Sequence, residues 1–402
     1  MFQAIRAFRP MVEVLCLSVA SRNIDNEFDK FMAMNITTII FLLIVCVACK
    51  QRNYVVDDSS NISHKPNIAF VSHEDISLPR FDSLKTKYQL DTVFHGETDE
   101  FKRILLLRNW IRQHISIDDF GDPYPGNDHP QGIIDAAAKG QGFHCGHYMV
   151  VQNAMMNAYG YVTRCLGSGP GVKGGPDGHH GMNEIWVNKF HKWFLSDAKF
   201  NHHFEKDGVP LSALEVRDEY LKNKAADVVL VKGPDRVPIQ MDSLKDKNGV
   251  YLHRDKAWFA SWYTWLEWDK NSTRFSAWPA FNTKLNMYKD DYFNRHTWYW
   301  DGEPHWAYNT DEISYQDARD AIEWTPNVIK ADATVSGDHA KVKLNSFTPN
   351  FKEYQMKRDG EWLKCDSVVE IPLDKDKEQI AFRAVNSAGV AGPEYKIAFV
   401  SK

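Results

Sequence analysis

A cysteine set between a glycine-rich turn and a helical repeat constrains this chain more than any other feature. The stretch reads Gly140-Gln-Gly-Phe-His-Cys145-Gly-His-Tyr148. Tyr148, Val151, Met155 and Ala158 then recur at three- and four-residue spacing, and Gly160 ends the pattern. The spacing predicts a helix that begins at or near Cys145. At a helix N-terminus the macrodipole and the free backbone N–H groups stabilise a thiolate. A nucleophile so placed needs a base, and the base needs an orienting group from elsewhere in the chain.

The chain has 402 residues, enough for two or three domains. Hydrophobic content of 43% and charged content of 25% are those of a globular protein, and a net charge of −5 points away from nucleic acid. The cysteines are Cys16, Cys46, Cys49, Cys145, Cys165 and Cys365. Three lie in or before an apolar leader and the others are far apart, so they do not form a disulfide framework.

Residues 1–48 read as a leader, with Met32 or Met34 as possible starts. The apolar run Ile36–Ala48 is shorter than the ~20 residues of a membrane-spanning helix and fits a signal-peptide core. Ala48 before Cys49 resembles a bacterial lipoprotein signal, which implies a lipidated Cys49 and a protein held on the cell envelope by its anchor. Cys46 replaces the usual Leu, and a start at Met34 leaves no basic stretch. A cleaved signal or a single membrane anchor are the other readings.

Residues 49–95 read as a tether and lead-in, and 96–222 as the chemical domain. Asp99–Ile115 and Gly132–Lys139 have helical spacing, with Arg103, Arg108 and Arg112 placed off the apolar face of the first. Tyr161–Leu166, Gly181–Val187 and Lys192–Asp197 read as strands, and Leu211–Leu221 as a helix. Helices beside a run of antiparallel strands predict an α+β fold. Residues 223–325 are aromatic-rich, with eight Trp between Trp258 and Trp306 and no regular period. Residues 326–402 show short alternating runs broken by turns such as Asp359-Gly360, which predict a C-terminal β-sandwich.

His180 opens a strand, and the next strand ends in Asp197. Adjacent antiparallel strands can set such a His beside such an Asp. His179 is the competing base. The order Cys145, His180, Asp197 resembles the transglutaminase-like superfamily of papain-like cysteine enzymes. Gly160 and Arg164 stand fifteen and nineteen residues after Cys145, His180 stands four before Glu184, and Trp193 four before Asp197, as in that family. Here Met182 replaces an aromatic residue, Ala-Lys follows Asp197 in place of Pro-Thr, and the turn between the strands is longer. The resemblance covers roughly residues 100–200. It implies a papain-like core in which Cys145 attacks a carbonyl carbon, His180 moves the proton and Asp197 fixes the imidazole. The backbone N–H of Cys145 would serve the oxyanion, with Gln141 as a weaker second donor.

His144, Cys145 and His147 lack the paired spacing of a zinc site, and adjacent His202 and His203 are poorly set to share one ion, so no metal is expected. Leu244 stands where a calcium loop needs its first carboxylate. Cys165 and Cys365 read as structural. The Phe382–Pro393 segment resembles the last hairpin of fibronectin type III-like domains. The expectation is an exported cysteine enzyme, without cofactor, that acts on amide bonds of a protein or peptide through a thioester, by hydrolysis rather than amine cross-linking. The alternative is a surface module that binds glycan or peptide through the Trp-rich region and carries a vestigial triad.

Overall fold

A computed structural model describes residues 53–59, 61–119, 129–169, 179–239, 260–279, 284–295, 299–300, 303–304 and 313–402. The leader with Cys49, the acidic segment 242–255 and much of the glycine-rich loop and Trp-rich stretch lie outside the described residues. No described helix is long and apolar enough to cross a membrane.

The fold is α+β. Its longer helices among the described residues are α1 (Pro79–Lys87), α2 (Glu100–His114), α3 (Pro130–Ala137), α4 (Cys145–Ala158) and α5 (Ala213–Asn223). The central sheet takes strands from three parts of the chain: β1 (Thr163–Gly169), β2 (His180–Val187) and β3 (Lys192–Ser196), then β6 (Trp265–Asp269), β7 (Leu285–Tyr288) and β8 (Ile313–Gln316). The spatial order is β8-β7-β6-β1-β2-β3. All neighbours are antiparallel except β7 and β8. A smaller sheet beside it includes β4 (His202–Lys206) and β5 (Val229–Lys232).

The alternation of β2 explains its place. Ile185 and Val187 join one apolar core with Val151, Ala154 and Met155 of α4 and Ile104 and Leu105 of α2. Met182 and Trp186 join a second core on the opposite face, with Trp193, Leu214 of α5, Trp268 and Trp324. The strand is buried on both faces, and its polar residues Asn183 and Glu184 are buried with it. Burying each large apolar side chain contributes ~1.5–3 kcal/mol, and Cys145 is set at the end of the helix that the first core fixes.

The last part of the chain is a β-sandwich. One sheet pairs β9 (Ile329–Ser336), β10 (His339–Ser346) and β13 (Val368–Pro372). The other holds β12 (Glu361–Cys365), β11 (Phe351–Arg358), β14 (Lys377–Asn386) and β15 (Tyr395–Ser401), with residues 55–57 on its far edge. β10 alternates: Ala340, Val342 and Leu344 are buried, while His339, Lys341 and Lys343 are exposed. Asp359 and Gly360 both have positive φ, at 51° and 87°, as the two-residue turn between β11 and β12 requires.

Candidate active site

Helix α4 begins at Cys145. His144 is its N-cap, extended at φ −88° and ψ 177°, and its Nδ1 accepts the Gly146 N–H at 3.2 Å. The start of α4 lies close to β2. A Cβ on Gly181 would stand 3.4 Å from the Gly146 Cα, so two glycines meet where helix and strand approach. That approach brings Cys145 within reach of His180, the first residue of β2.

The His180 Nε2 lies 2.6 Å from Asp197 Oδ2. Asp197 follows β3 and is held by its backbone: it donates to His202 O and accepts from His202 N–H, each at 3.1 Å. Its Oδ1 accepts the Phe200 N–H at 3.0 Å. His202 Nε2 stands 3.6 Å from the same carboxylate. The imidazole of His180 is flanked by the rings of Phe200, at 5.4 Å between centroids, and Trp262, at 5.9 Å. Exposure falls from 8% at Cys145 to 5% at His180 and 1% at Asp197, so the charges interact away from bulk water.

The electrostatics follow from these contacts. Burial pushes the Asp197 carboxyl up, but the charges of His180 and His202 and its hydrogen bonds hold it well below the usual range. Burial alone would lower His180, yet Asp197 and the hydrogen bond to Cys145 push it up to about 9. Burial raises the Cys145 thiol, and the hydrogen bonds of His144 and His180, with the charges of His180 and Lys199, bring it well below the ordinary value. The other described cysteines go the opposite way. Burial raises Cys165, and burial with the nearby charges of Asp366 and Glu353 raises Cys365 to about 11. Since Nε2 of His180 faces Asp197, the hydrogen bond to Cys145 falls to Nδ1.

Gln141 sits in the turn after α3, where its N–H donates to Ala136 O at 3.2 Å. Its carboxamide makes no hydrogen bond among the described residues. His179 is exposed beside His180 and is not the residue brought to Asp197. His202 and His203 diverge: His203 Nε2 pairs with Glu205 at 2.8 Å, whereas His202 faces Asp197. Arg164 is fully buried and pairs with Glu184, its Nη2 2.7 Å from Oε2, in a structural network.

Several residues around the site were not singled out in the sequence. Arg108, placed off the apolar face of α2, is buried; it donates to His202 O at 3.0 Å and to Asn201 Oδ1 at 3.1 Å, so it braces the turn after Asp197. Its spacing from Phe101, Ile104, Leu105 and Ile111 put it on the apolar stripe, and that was the available signal. Lys199 is buried and bonds Asp119 at 2.6 Å. Trp262 belongs to the aromatic stretch, which has no regular period.

The α+β core thus brings together a cysteine at a helix N-terminus, a histidine in hydrogen-bond contact with it and an aspartate behind the histidine. Residues 88–198 match the family model of the transglutaminase-like superfamily, and this part of the chain is a transglutaminase-like domain. The match spans α2 through β3 and includes all three residues. No curated protein matches the chain.

Proposed function

We propose that the protein is a cysteine enzyme that cleaves amide bonds of a protein or peptide through a thioester on Cys145. The observation that carries this reading is the single line of contacts from Asp197 through His180 to the thiol. The Cys145 thiolate attacks the carbonyl carbon. The S–C bond forms and the carbonyl electron pair moves to oxygen. The resulting oxyanion takes the backbone N–H of Cys145, and the uncommitted carboxamide of Gln141 is the second donor. One such donor contributes ~3 kcal/mol. As the C–N bond breaks, the Nδ1 proton of His180 passes to the leaving amine. Water then gives His180 a proton as it attacks the thioester, releasing the acid and restoring the thiolate. Asp197 holds the imidazole and offsets its positive charge throughout.

Hydrolysis is favoured over transfer to an amine, and a lipid on Cys49 holds the enzyme on the cell envelope. The test uses a peptide mixture with a fluorescent primary amine. New amino termini without amine incorporation support hydrolysis, and the Cys145→Ala variant is silent. Incorporation of the amine would make the protein a transferase, and no product from either route would overturn the reading. Intact mass of Cys49 from membranes tests the anchor.

A further inference from the structure

The end of α4 away from Cys145, ~20 Å along the helix axis at 1.5 Å per residue, borders a cleft of about 380 Å³. One wall is the hairpin between β14 and β15, and the other is the last turn of α4 with the start of α2. The junction is built. Asn386 Nδ2 donates to Gly160 O at 2.8 Å, and its Oδ1 accepts the N–H groups of Ala388 and Val390 at 3.1 and 3.0 Å. Gly160 has φ +76°, and a Cβ there would lie 2.6 Å from the Ala388 Cβ. Only glycine lets the hairpin sit this close.

Arg103 lines the cleft with its Cζ 4.0 Å from the centre of the Phe94 ring. Among the described residues its guanidinium has no carboxylate and no hydrogen bond, and its Nε is shut off from solvent without a partner. The nearby carboxylates are engaged elsewhere. Glu100, which shares the cleft, accepts from Asn188 N–H and Nδ2 and from Lys189 N–H at 3.2, 2.8 and 3.0 Å. Asp99 accepts from Lys189 Nζ at 2.6 Å, and Asp91 from the Tyr159 hydroxyl at 2.8 Å. The Tyr161 hydroxyl also lines the cleft with no partner among the described residues, and burial raises it to about 12, which keeps it a donor. Lys85 adds a second cation whose ion pair is a surface contact to exposed Asp82 at 2.8 Å, a kind worth little.

We propose that this cleft is a second binding site, for a small ligand that presents an oxyanion, either a carboxylate or a phosphate. A guanidinium stacked on an aromatic ring offers a rigid fork of donors that suits both groups. A shielded N–H without an acceptor is unfavourable, and a ligand oxygen there would satisfy it. Tyr161 supplies a neutral donor and Lys85 a point charge at the rim.

The experiment is isothermal titration of the full chain with inorganic phosphate and, separately, with acetyl-dialanine, at constant ionic strength balanced by chloride. Saturable binding is expected for at least one, weakened at least tenfold in Arg103→Gln and several-fold in Tyr161→Phe. The second variant removes one oxygen and should melt at the wild-type temperature, so a folding defect in the first does not decide the matter. Binding of phosphate alone assigns a phosphoryl ligand, binding of the dipeptide alone a carboxylate, and binding of both keeps the class. No saturable heat with either, or binding unchanged in both variants, overturns the proposal.

Discussion

His180 turns Nε2 toward Asp197, at 2.6 Å, and so leaves Nδ1 for Cys145. The buried carboxylate thereby fixes which ring nitrogen exchanges a proton with sulfur. Asp197→Asn keeps the shape and removes the charge. The His180 ring, raised to about 9 chiefly against its burial by Asp197, should then titrate at or below the ordinary value of about 6.5. Ring signals followed by NMR across pH measure this directly. A midpoint still near 9 would assign the shift to some other group.

His144 acts on the thiol from the other side. It caps α4 and its hydrogen bond lowers the Cys145 pKa. Asparagine is also a good N-cap, so His144→Asn separates the two roles. The thiol pKa should rise while the melting temperature stays within a few degrees. Loss of cap stability with an unchanged thiol would make His144 a cap alone.

Glu267 gives a prediction for the pH dependence of stability. Burial, aided by Asp269, raises its carboxyl to about 8, against about 4.3 in the unfolded chain. Between these values the folded form keeps a proton that the unfolded form has lost, so stability falls as pH rises. Glu267→Gln removes that fall. The variant should match the wild type near pH 4 and exceed it by on the order of 4–5 kcal/mol near pH 8. Urea unfolding at both pH values checks it, and a gap independent of pH would contradict it.

Arg164 and Glu184 form a pair with almost no exposure, and Glu184 also accepts from Trp268 Nε1 at 2.6 Å and the Ala213 N–H at 2.8 Å. Arg164→Met leaves that carboxylate buried without its cation and should cost about 3–5 kcal/mol. Adding Glu184→Gln should recover part of the loss. Denaturant midpoints of the single and double variants decide this.

The residues of the site were legible because each sits at an element boundary with its own local signal. Cys145 follows glycines and opens a helix, and His180 and Asp197 bracket adjacent strands. The alternation of β10 and the Asp359-Gly360 turn likewise marked the C-terminal sandwich. The outer half of the central sheet was not legible. Trp265–Asp269 is buried at every position, so it has no polar–apolar alternation to read. Its partner β7 pairs in parallel with β8, from a distant part of the chain, and nothing local marks such a contact. The short helix α1 lay in a stretch read as irregular, because nine residues with Pro at the start and three lysines or arginines give little periodicity. Arg108 lies on the apolar stripe of α2, where its charge alone predicts an exposed position. A buried arginine is an exception that only its partners, Asn201 and His202, reveal.

The central claim is that Cys145 rests as a thiolate paired with protonated His180. The most direct measurement is the rate of iodoacetamide alkylation of Cys145, read by peptide mass, from about pH 4 to about pH 10 in the wild type and in His180→Ala. The wild type should titrate well below the free thiol value of about 8.5, and the variant should move up toward it. A thiol that is unreactive, or whose profile is the same without His180, would contradict the ion pair and the enzyme reading with it.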